Sequence, residues 1–461
     1  MESPIEKDIV IIGAGLTGLT LAFYLKKQGK NVLVIEKSGK TGGVIQTVKD
    51  DGFVFETGPN TGVVGNPEVA ELFEDLEGFC TFEAANPDAK RRLIWKNGKW
   101  RAIPSGFLSA VTTPLFSLKD KFRILGEPFR KKGRNPDENL ADLVKRRLGV
   151  SFLNYAVDPF ISGVYAGDTS YLIPRFALPK LYALEQDYGS FIKGSMQKAK
   201  ERKSNPRLQK ATREVFSVKG GLKNLISALT EKVGAENILL NVKNTVVSKT
   251  ENGFEINSEI NNEPVIIQSE MVVTTSGAFE LGNLLPFLSA EEKAPFEELK
   301  YASVVQAVVG YHNWKGINLK AFGGLVPTIE QRDILGVLFT SSFLSSRAPK
   351  NGALLSVFLG GIKRPEIFEM EDEEIEDIVS HEFRQMMGMP IFRPDLFEIF
   401  RYKYAIPQYG LSSGKRIETI SLIQQKYPGL ILAGNIRDGI GMADRIKQGK
   451  TIAHQLIDEL K

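Results

Sequence analysis

The sequence predicts an α/β fold: a dinucleotide-binding domain combined with a mixed-sheet substrate domain and a helical, membrane-associating domain. Three observations predict it. A glycine-rich turn, "DIVIIGAGLTG" at Asp8–Gly18, follows an apolar strand near the start of the chain. A second strand, glycine loop and helix, "GLILAGNIRDGIGMADRIKQGKTIAHQLI", lies near its other end. Between them, runs such as "SVVQAVVGYH" and "GALLSVFLGG" have the β-branched character of buried strands.

The composition bounds the function. A chain of 461 residues, 42% hydrophobic and 25% charged, has enough apolar material for a large core and two or three domains. The formal net charge of +4 is too small to argue for nucleic acid. The single cysteine, Cys80, excludes an internal disulfide, a Cys-x-x-Cys redox pair and a cysteine-rich zinc site, which fits a reducing compartment. No metal site is expected. The first strand starts too close to Met1 to leave room for a secretory signal, and no run reaches the roughly 18 apolar residues of a membrane span. A cytoplasmic location is therefore expected.

The first element is a strand at Ile9–Ile12, continuously β-branched as in a parallel sheet buried on both faces. Gly13, Gly15 and Gly18 then stand at G-x-G-x-x-G spacing, Leu19–Gln28 has helical periodicity, and a second strand, Asn31–Ile35, ends in Glu36. Each glycine has a mechanical task. Gly13 turns tightly, Gly15 lets a pyrophosphate approach the backbone, and Gly18 lets helix and strand pack closely. Free N–H groups at the helix start, from Leu16 and Thr17, face the anion. Glu36 accepts from a ribose diol and disfavours a 2′-phosphate. With its neighbour Lys37 it completes the expected contacts of this unit.

Downstream, Gly42 and Gly43 extend the backbone contact, and a hairpin turns at Asp50-Asp51-Gly52. "ETGPNT" follows, with Gly58, Pro59 and Asn60 as further candidate contacts. "SVKGGLKNLISAL" returns to strand, glycine turn and helix; "NTVVSKTENGFEI" reads as a hairpin and "EMVVTTS" as a buried strand. Near the chain's end, Gly434 lies in the glycine loop, and a helix starts near Met442 after Gly441 and before Ala443. There is no second copy of the glycine fingerprint. This argues against an NAD(P)H-fed enzyme with two nucleotide folds.

These widely separated pieces resemble the FAD-binding flavoprotein oxidase superfamily, which includes amine oxidases, phytoene desaturases and protoporphyrinogen oxidases. The resemblance implies FAD, with the final helix pointing its N-terminus at the flavin, where its dipole stabilises the negative charge of the reduced ring. It also implies a discontinuous cofactor domain, 1–86, 207–280 and 413–461, in which Val246 touches the adenine through its backbone. Residues 87–95 are then the strand entering the substrate domain, 281–412 that domain itself, and 96–206 the helical one.

Within the helical part, "IPSGFLSAVTTPLFSLKDKFRILGEPFRKKGR", Ile103–Arg134, is greasy and basic. Phe107, Leu108, Val111, Leu115, Phe116, Leu118, Phe122, Ile124, Leu125 and Phe129 alternate with bases that outnumber Asp120 and Glu127. Two readings fit: a helix pair seated in an anionic membrane interface, or a core-packed pair with solvated charges. Base density at Lys193–Arg213 lacks an aromatic ladder and does not indicate nucleic acid. The acidic run Glu369–Asp377 reads as a solvated helix start.

"FISGVYAGD" at Phe160–Asp168, "ETGPNT", "SVKGGL", "AIPQY" at Ala405–Tyr409 and the stretch Leu335–Gly361 together resemble the protoporphyrinogen oxidase family over nearly the whole chain. The resemblance implies that Arg92 binds a propionate, that Leu325 and Leu338 sandwich one pyrrole ring, that Phe358 stacks on another, and that Gly163 belongs to a flexible loop beside the flavin. A large apolar macrocycle with acidic tails suits an apolar cavity holding one or two fixed cations, and arginine grips a carboxylate with two parallel bonds. Plain core packing for Leu325, Leu338 and Phe358, and a surface role for Arg92 with Arg91 as its substitute, are the bland alternatives. After "AIPQY" this chain has "GLSSGK" where the family often has a glycine-histidine pair, a difference in that loop.

The activity implied is oxidation of protoporphyrinogen IX to protoporphyrin IX in haem biosynthesis, in three two-electron steps with O2 as acceptor and hydrogen peroxide as product. Coproporphyrinogen III oxidation is the nearest alternative, and a non-enzymatic prenyl-protein carrier on the same fold is a different one. Flavin carries the chemistry, so no catalytic side chain is expected, and His312, His381 and His454 lie in no site motif. An anionic membrane surface, a ferrochelatase and a second copy of the chain are the other expected partners.

Overall fold

The computed structural model describes residues 4–459, apart from the side chains of Phe107 and Leu108, whose place in the expected apolar surface lies outside the described ones. Among the described residues the chain builds a mixed α/β structure around two seven-stranded sheets.

The first sheet is parallel at its centre. Ile5–Ile12 lies between Val32–Ile35 and Glu263–Thr274, parallel to both, and Leu430–Leu432 joins the far side of Glu263–Thr274. The β-branched run works as expected, because Ile9, Val10 and Ile11 are fully shielded from water on both faces. Gly253–Ile260 and Lys243–Thr250 extend the sheet as an antiparallel meander through the expected Glu251-Asn252-Gly253 turn. The helix Leu16–Lys27 packs on this sheet and against the final helix, Met442–Glu459. That crossing is close: a β-carbon on Gly449 would stand 2.7 Å from the Thr17 carbonyl oxygen.

The second sheet runs in the spatial order 396–407, 301–311, 353–360, 334–338, 323–325, 92–96 and 99–102. All its pairings are antiparallel except that of 92–96 with 323–325. One face carries Val305, Ala307, Val337, Val357 and Leu359 against Ile375, Val379 and Phe383 of the helix Asp372–Met386. The other face looks toward the cofactor segments.

The sheet does not stop at residue 95, where the sequence places a boundary. Leu93–Lys96 turns back as Lys99–Ala102, because Asn97-Gly98 supplies the two positive-φ positions of a tight hairpin. Its later boundary also differs. The helices Ala278–Leu284 and Ala290–Glu297 bury Ala278, Leu281 and Phe296 in the core of the parallel sheet, and the second sheet resumes only at Tyr301.

The helical part is braced internally. Arg147, buried among short helices, pairs with Glu127 and with Glu185, and Glu127 accepts the Phe191 and Ile192 N–H groups at a helix start. No helix among the described residues is long and apolar enough to cross a membrane.

Candidate cofactor and substrate site

The glycine turn has the shape that phosphate binding needs. Gly13 adopts φ +105°, and a β-carbon on Gly18 would fall 2.0 Å from the Gly13 carbonyl oxygen, so helix and strand touch there. A β-carbon placed on Gly15 would have nothing within 4 Å of it. No side chain caps the helix that begins at Leu16 and Thr17, and its first turn holds no acid. This leaves the first N–H groups and the dipole available to an anion. Gly43, at φ +57°, faces the same turn, its β-carbon position 3.7 Å from Gly15 Cα, while the Gly42 N–H donates to the Ala14 carbonyl at 2.8 Å.

Glu36 closes the second strand. One carboxylate oxygen accepts the Ala14 N–H at 2.8 Å, and the other accepts the Ser38 N–H and hydroxyl, each at 2.9 Å. One lone pair, on the oxygen that faces Ala14, remains for a ribose hydroxyl. Its neighbour Lys37 pairs instead with Glu280 at the surface. Val246 sits on the edge strand just after an irregularity in the pairing, and the chain leading to it passes Glu36, where the Val242 N–H donates to the Glu36 carbonyl at 2.9 Å. Gly58 and Asn60 form one turn, since the Asn60 amide donates to the Gly58 carbonyl at 2.9 Å with Pro59 between them. An open cradle over Gly15, an uncapped helix start and a buried acid at the second strand fit a dinucleotide.

The loop Gly434–Gly441, leading into the helix at Met442 and Ala443, is held from several sides. Gly434 takes φ +86°, and Gln448 both accepts its N–H at 2.7 Å and donates to its carbonyl at 3.2 Å. The Tyr409 hydroxyl lies 2.7 Å from the Asn435 carbonyl oxygen and 3.1 Å from that of Gly439. Burial pushes that phenol far above its ordinary range. Next to it, the Gln408 amide donates to the Tyr165 carbonyl at 2.9 Å. The "AIPQY" motif thus ties the "GVYAGD" segment to the C-terminal loop.

"ETGPNT" and "SVKGGL" meet through a buried ion pair that sequence reasoning missed. Arg347 Nη1 lies 3.1 Å from Glu56 Oε1, both side chains being fully buried, and Arg347 Nη2 donates to Ser217 Oγ at 2.9 Å. Burial raises the Glu56 carboxyl, while Thr47, the Leu222 N–H and Arg347 pull it back down.

The register of the second sheet places the remaining candidates on one face. Cross-strand partners share a face. One row therefore runs Ile94, Leu325, Gly336, Phe358, Gln306, Phe400, and the next runs Arg92, Gly323, Leu338, Ser356, Val308, Glu398. Gly336 stands between Leu325 and Phe358, with the Leu325 side chain leaning over it, its Cδ2 3.2 Å from where a β-carbon on Gly336 would stand, and Gly323 stands between Arg92 and Leu338. Both rows reach the cofactor segments: Gln306 donates to the Glu56 carbonyl and Ser356 to Asn60 Oδ1, each at 2.8 Å. Gly163 meets this face at Leu325. Arg92 stays exposed at its edge, its guanidinium carbon 5.7 Å from the centre of the Phe322 ring. His312 pairs with Asp51 at the hairpin tip, away from both rows.

The flavin-containing amine oxidoreductase family model matches residues 16–457. Protoporphyrinogen oxidase 1, chloroplastic, of Arabidopsis thaliana is 30% identical over 466 residues, covering 95% of this chain and 86% of the relative. Coproporphyrinogen III oxidase of Bacillus subtilis (strain 168) is 26% identical over 464 residues, covering 96% and 97%. Reduced UDP-galactopyranose mutase shares the fold, with a TM-score of 0.74 at 16% identity over 98% of this chain and 95% of that one. With its glycine cradle, buried acid and braced C-terminal loop matched over almost its whole length, the chain belongs to the flavin-containing amine oxidoreductase family, as a protoporphyrinogen-oxidase-type member that uses FAD.

Proposed function

We propose that this enzyme oxidises protoporphyrinogen IX to protoporphyrin IX in haem biosynthesis. The observation that carries the reading is the single sheet face on which Arg92, Leu325, Leu338 and Phe358 stand above the cofactor segments. Bound FAD supplies a hydride-accepting centre. The chain's own side chains do the rest: the leucines and Phe358 hold the flat faces of the macrocycle and keep water out, and Arg92 at the rim grips a propionate. Protons leave from pyrrole nitrogens to solvent without a dedicated base. O2 is the proposed acceptor, and hydrogen peroxide the product.

The segments 1–86, 207–280 and 413–461 are proposed to share the cofactor. The helical part is proposed to rest on an anionic membrane. Supporting this, the helix Leu118–Leu125 buries none of its residues and exposes Leu118, Phe122 and Leu125 on one side, with Val111 and Phe129 exposed nearby. The acids that offset its bases are used internally, Asp120 accepting the N–H and hydroxyl of the capping residue Ser117 and Glu127 pairing with Arg147.

The test is anaerobic mixing of the FAD-loaded protein with fresh protoporphyrinogen. Flavin absorbance bleaches as porphyrin fluorescence appears; no bleaching with any porphyrinogen overturns the proposal. Likeness to the coproporphyrinogen oxidase of Bacillus subtilis supports coproporphyrinogen III as the second reading, and faster turnover of that substrate would select it.

A further inference from the structure

Three arginines among the described residues are wholly buried: Arg147, Arg347 and Arg416. A guanidinium keeps its charge in a protein, and a buried charge persists only where something compensates it. Arg147 has Glu127 and Glu185, and Arg347 has Glu56 and Glu83. Arg416 forms no ion pair among the described residues. Its Nε donates to the Ile436 carbonyl at 2.8 Å and its Nη2 to Ser413 Oγ at 3.0 Å, while its Nη1 has no partner.

The charged group is surrounded by phenols. Its guanidinium carbon lies 5.7 Å from the centre of the Tyr409 ring, and Tyr301 and Tyr171 are its other titratable neighbours. Burial raises all three hydroxyls, so they remain neutral and none supplies the missing anion. Ile436 belongs to the loop that leads into the final helix, whose N-terminus adds partial positive charge of its own. The acids near that loop are taken, Asp438 pairing with Arg445 and Asp444 accepting the Gly441 N–H, so among the described residues no carboxylate pairs with Arg416.

We propose that the compensating anion is the reduced cofactor: Arg416 is a positioning residue that, from behind the Gly434–Gly441 loop, raises the affinity of FAD for electrons. The proposal rests on FAD filling the cradle and is independent of which donor is oxidised. Transfer of a hydride breaks a C–H bond of the donor, forms an N–H bond on the flavin and leaves the flavin one negative charge richer. The donor loses its balancing proton to solvent. A fixed positive charge nearby favours that product over the neutral oxidised ring.

The experiment compares FAD-loaded wild type with Arg416→Met, which deletes the charge, Arg416→Lys, which keeps it, and Ser413→Asp, which adds a carboxylate partner while leaving Arg416 on Ile436. The readout is the ratio of reduced to oxidised flavin in equilibrium with a reference dye. Sulfite affinity is a second readout, because sulfite adds to the flavin to give an anionic adduct. At the potential where wild type is half reduced, the ratio falls about tenfold in Arg416→Met and Ser413→Asp, equal to about 30 mV for a two-electron couple, and stays within about twofold in Arg416→Lys. Sulfite affinity follows the same order. If Arg416→Met fails to retain flavin, Ser413→Asp decides alone. A wild-type ratio in Ser413→Asp, or an equal fall in the lysine and methionine variants, overturns the proposal. A wild-type protein without a flavin spectrum would instead remove the FAD reading on which it rests.

Discussion

Gly163 and Leu325 touch so closely that a β-carbon on Gly163 would stand 2.3 Å from Leu325 Cδ2. The glycine lies inside the helix Asp158–Tyr165, where alanine is the better helix former by about 1 kcal/mol. Gly163→Ala is therefore expected to keep or slightly raise local helix stability while pushing Leu325 out of its row. Turnover should fall about 10- to 100-fold with little change in Tm, since a displacement of about 1 Å is enough for such a loss. Steady-state kinetics beside thermal unfolding checks this.

Arg92 stands at the exposed edge of the same face. A carboxylate held there is gripped equally in ground and transition states, which is uniform binding. Arg92→Ala should raise KM about tenfold with kcat changing less, and Arg92→Lys should fall between, because an ammonium lacks the planar fork. An unchanged KM would remove Arg92 from the site.

Gly15 and Gly18 separate cofactor binding from folding. The β-carbon of Gly15→Ala enters open space, so the flavin-free protein should unfold as wild type does while FAD affinity drops at least about tenfold through loss of close backbone approach. Gly18→Ala would instead drive a carbon into the Gly13 carbonyl and should destabilise the flavin-free protein itself. Unfolding of both variants without cofactor, alongside FAD titration, distinguishes the two effects.

Arg347→Met leaves Glu56 buried without its cation, a change that costs about 3–5 kcal/mol in comparable pairs. The pH dependence has a definite sign. Burial raises the folded-state Glu56 carboxyl, so its contribution to stability is present at low pH and is lost as pH rises through the raised value. Without Arg347 the carboxyl rises further and the loss steepens. Denaturant unfolding from pH 5 to 8 should show a falling curve in Arg347→Met, and adding Glu56→Gln should flatten it.

The helix Leu118–Leu125 predicts a surface measurement. Leu118, Phe122 and Leu125 are 69%, 71% and 63% exposed, so replacing all three by serine should leave stability within about 0.5 kcal/mol. Binding to anionic vesicles should fall about 1000-fold or more, because each of the three apolar side chains lost from an interface is worth about 1.5 kcal/mol or more. Equal vesicle binding by both proteins would reject membrane seating of this face.

Locally encoded parts of the molecule were legible in the sequence. The Ile9–Ile12 strand, the glycine turn, the hairpins at Asp51-Gly52 and Asn252-Gly253 and the helix at Met442 each follow from periodicity or turn chemistry within a few residues. What stayed hidden depends on contacts between distant segments. Glu56 and Arg347 are 291 residues apart, and nothing near either marks the other as partner. Likewise, that Arg92 and Leu338 share a row follows only from the register of strands 92–96, 323–325 and 334–338. The acids Asp120 and Glu127 looked like offsets to a basic surface, but burial and capping use both. Tyr409 stood inside a recognised motif, yet its hold on Asn435 and Gly439 needed the fold to bring them together.

The strand Glu263–Thr274 has Ile5–Ile12 on one side and Leu430–Leu432 on the other, and the first helix packs on the last. During synthesis, the opening strand must wait for more than four hundred further residues to leave the ribosome before its sheet can be completed. Until then the sheet beneath its glycine turn is incomplete, so FAD is expected to load only after the last strand and helix have been made. Partial products ending before Leu430 should be handed to chaperones and proteases as flavin-free chains.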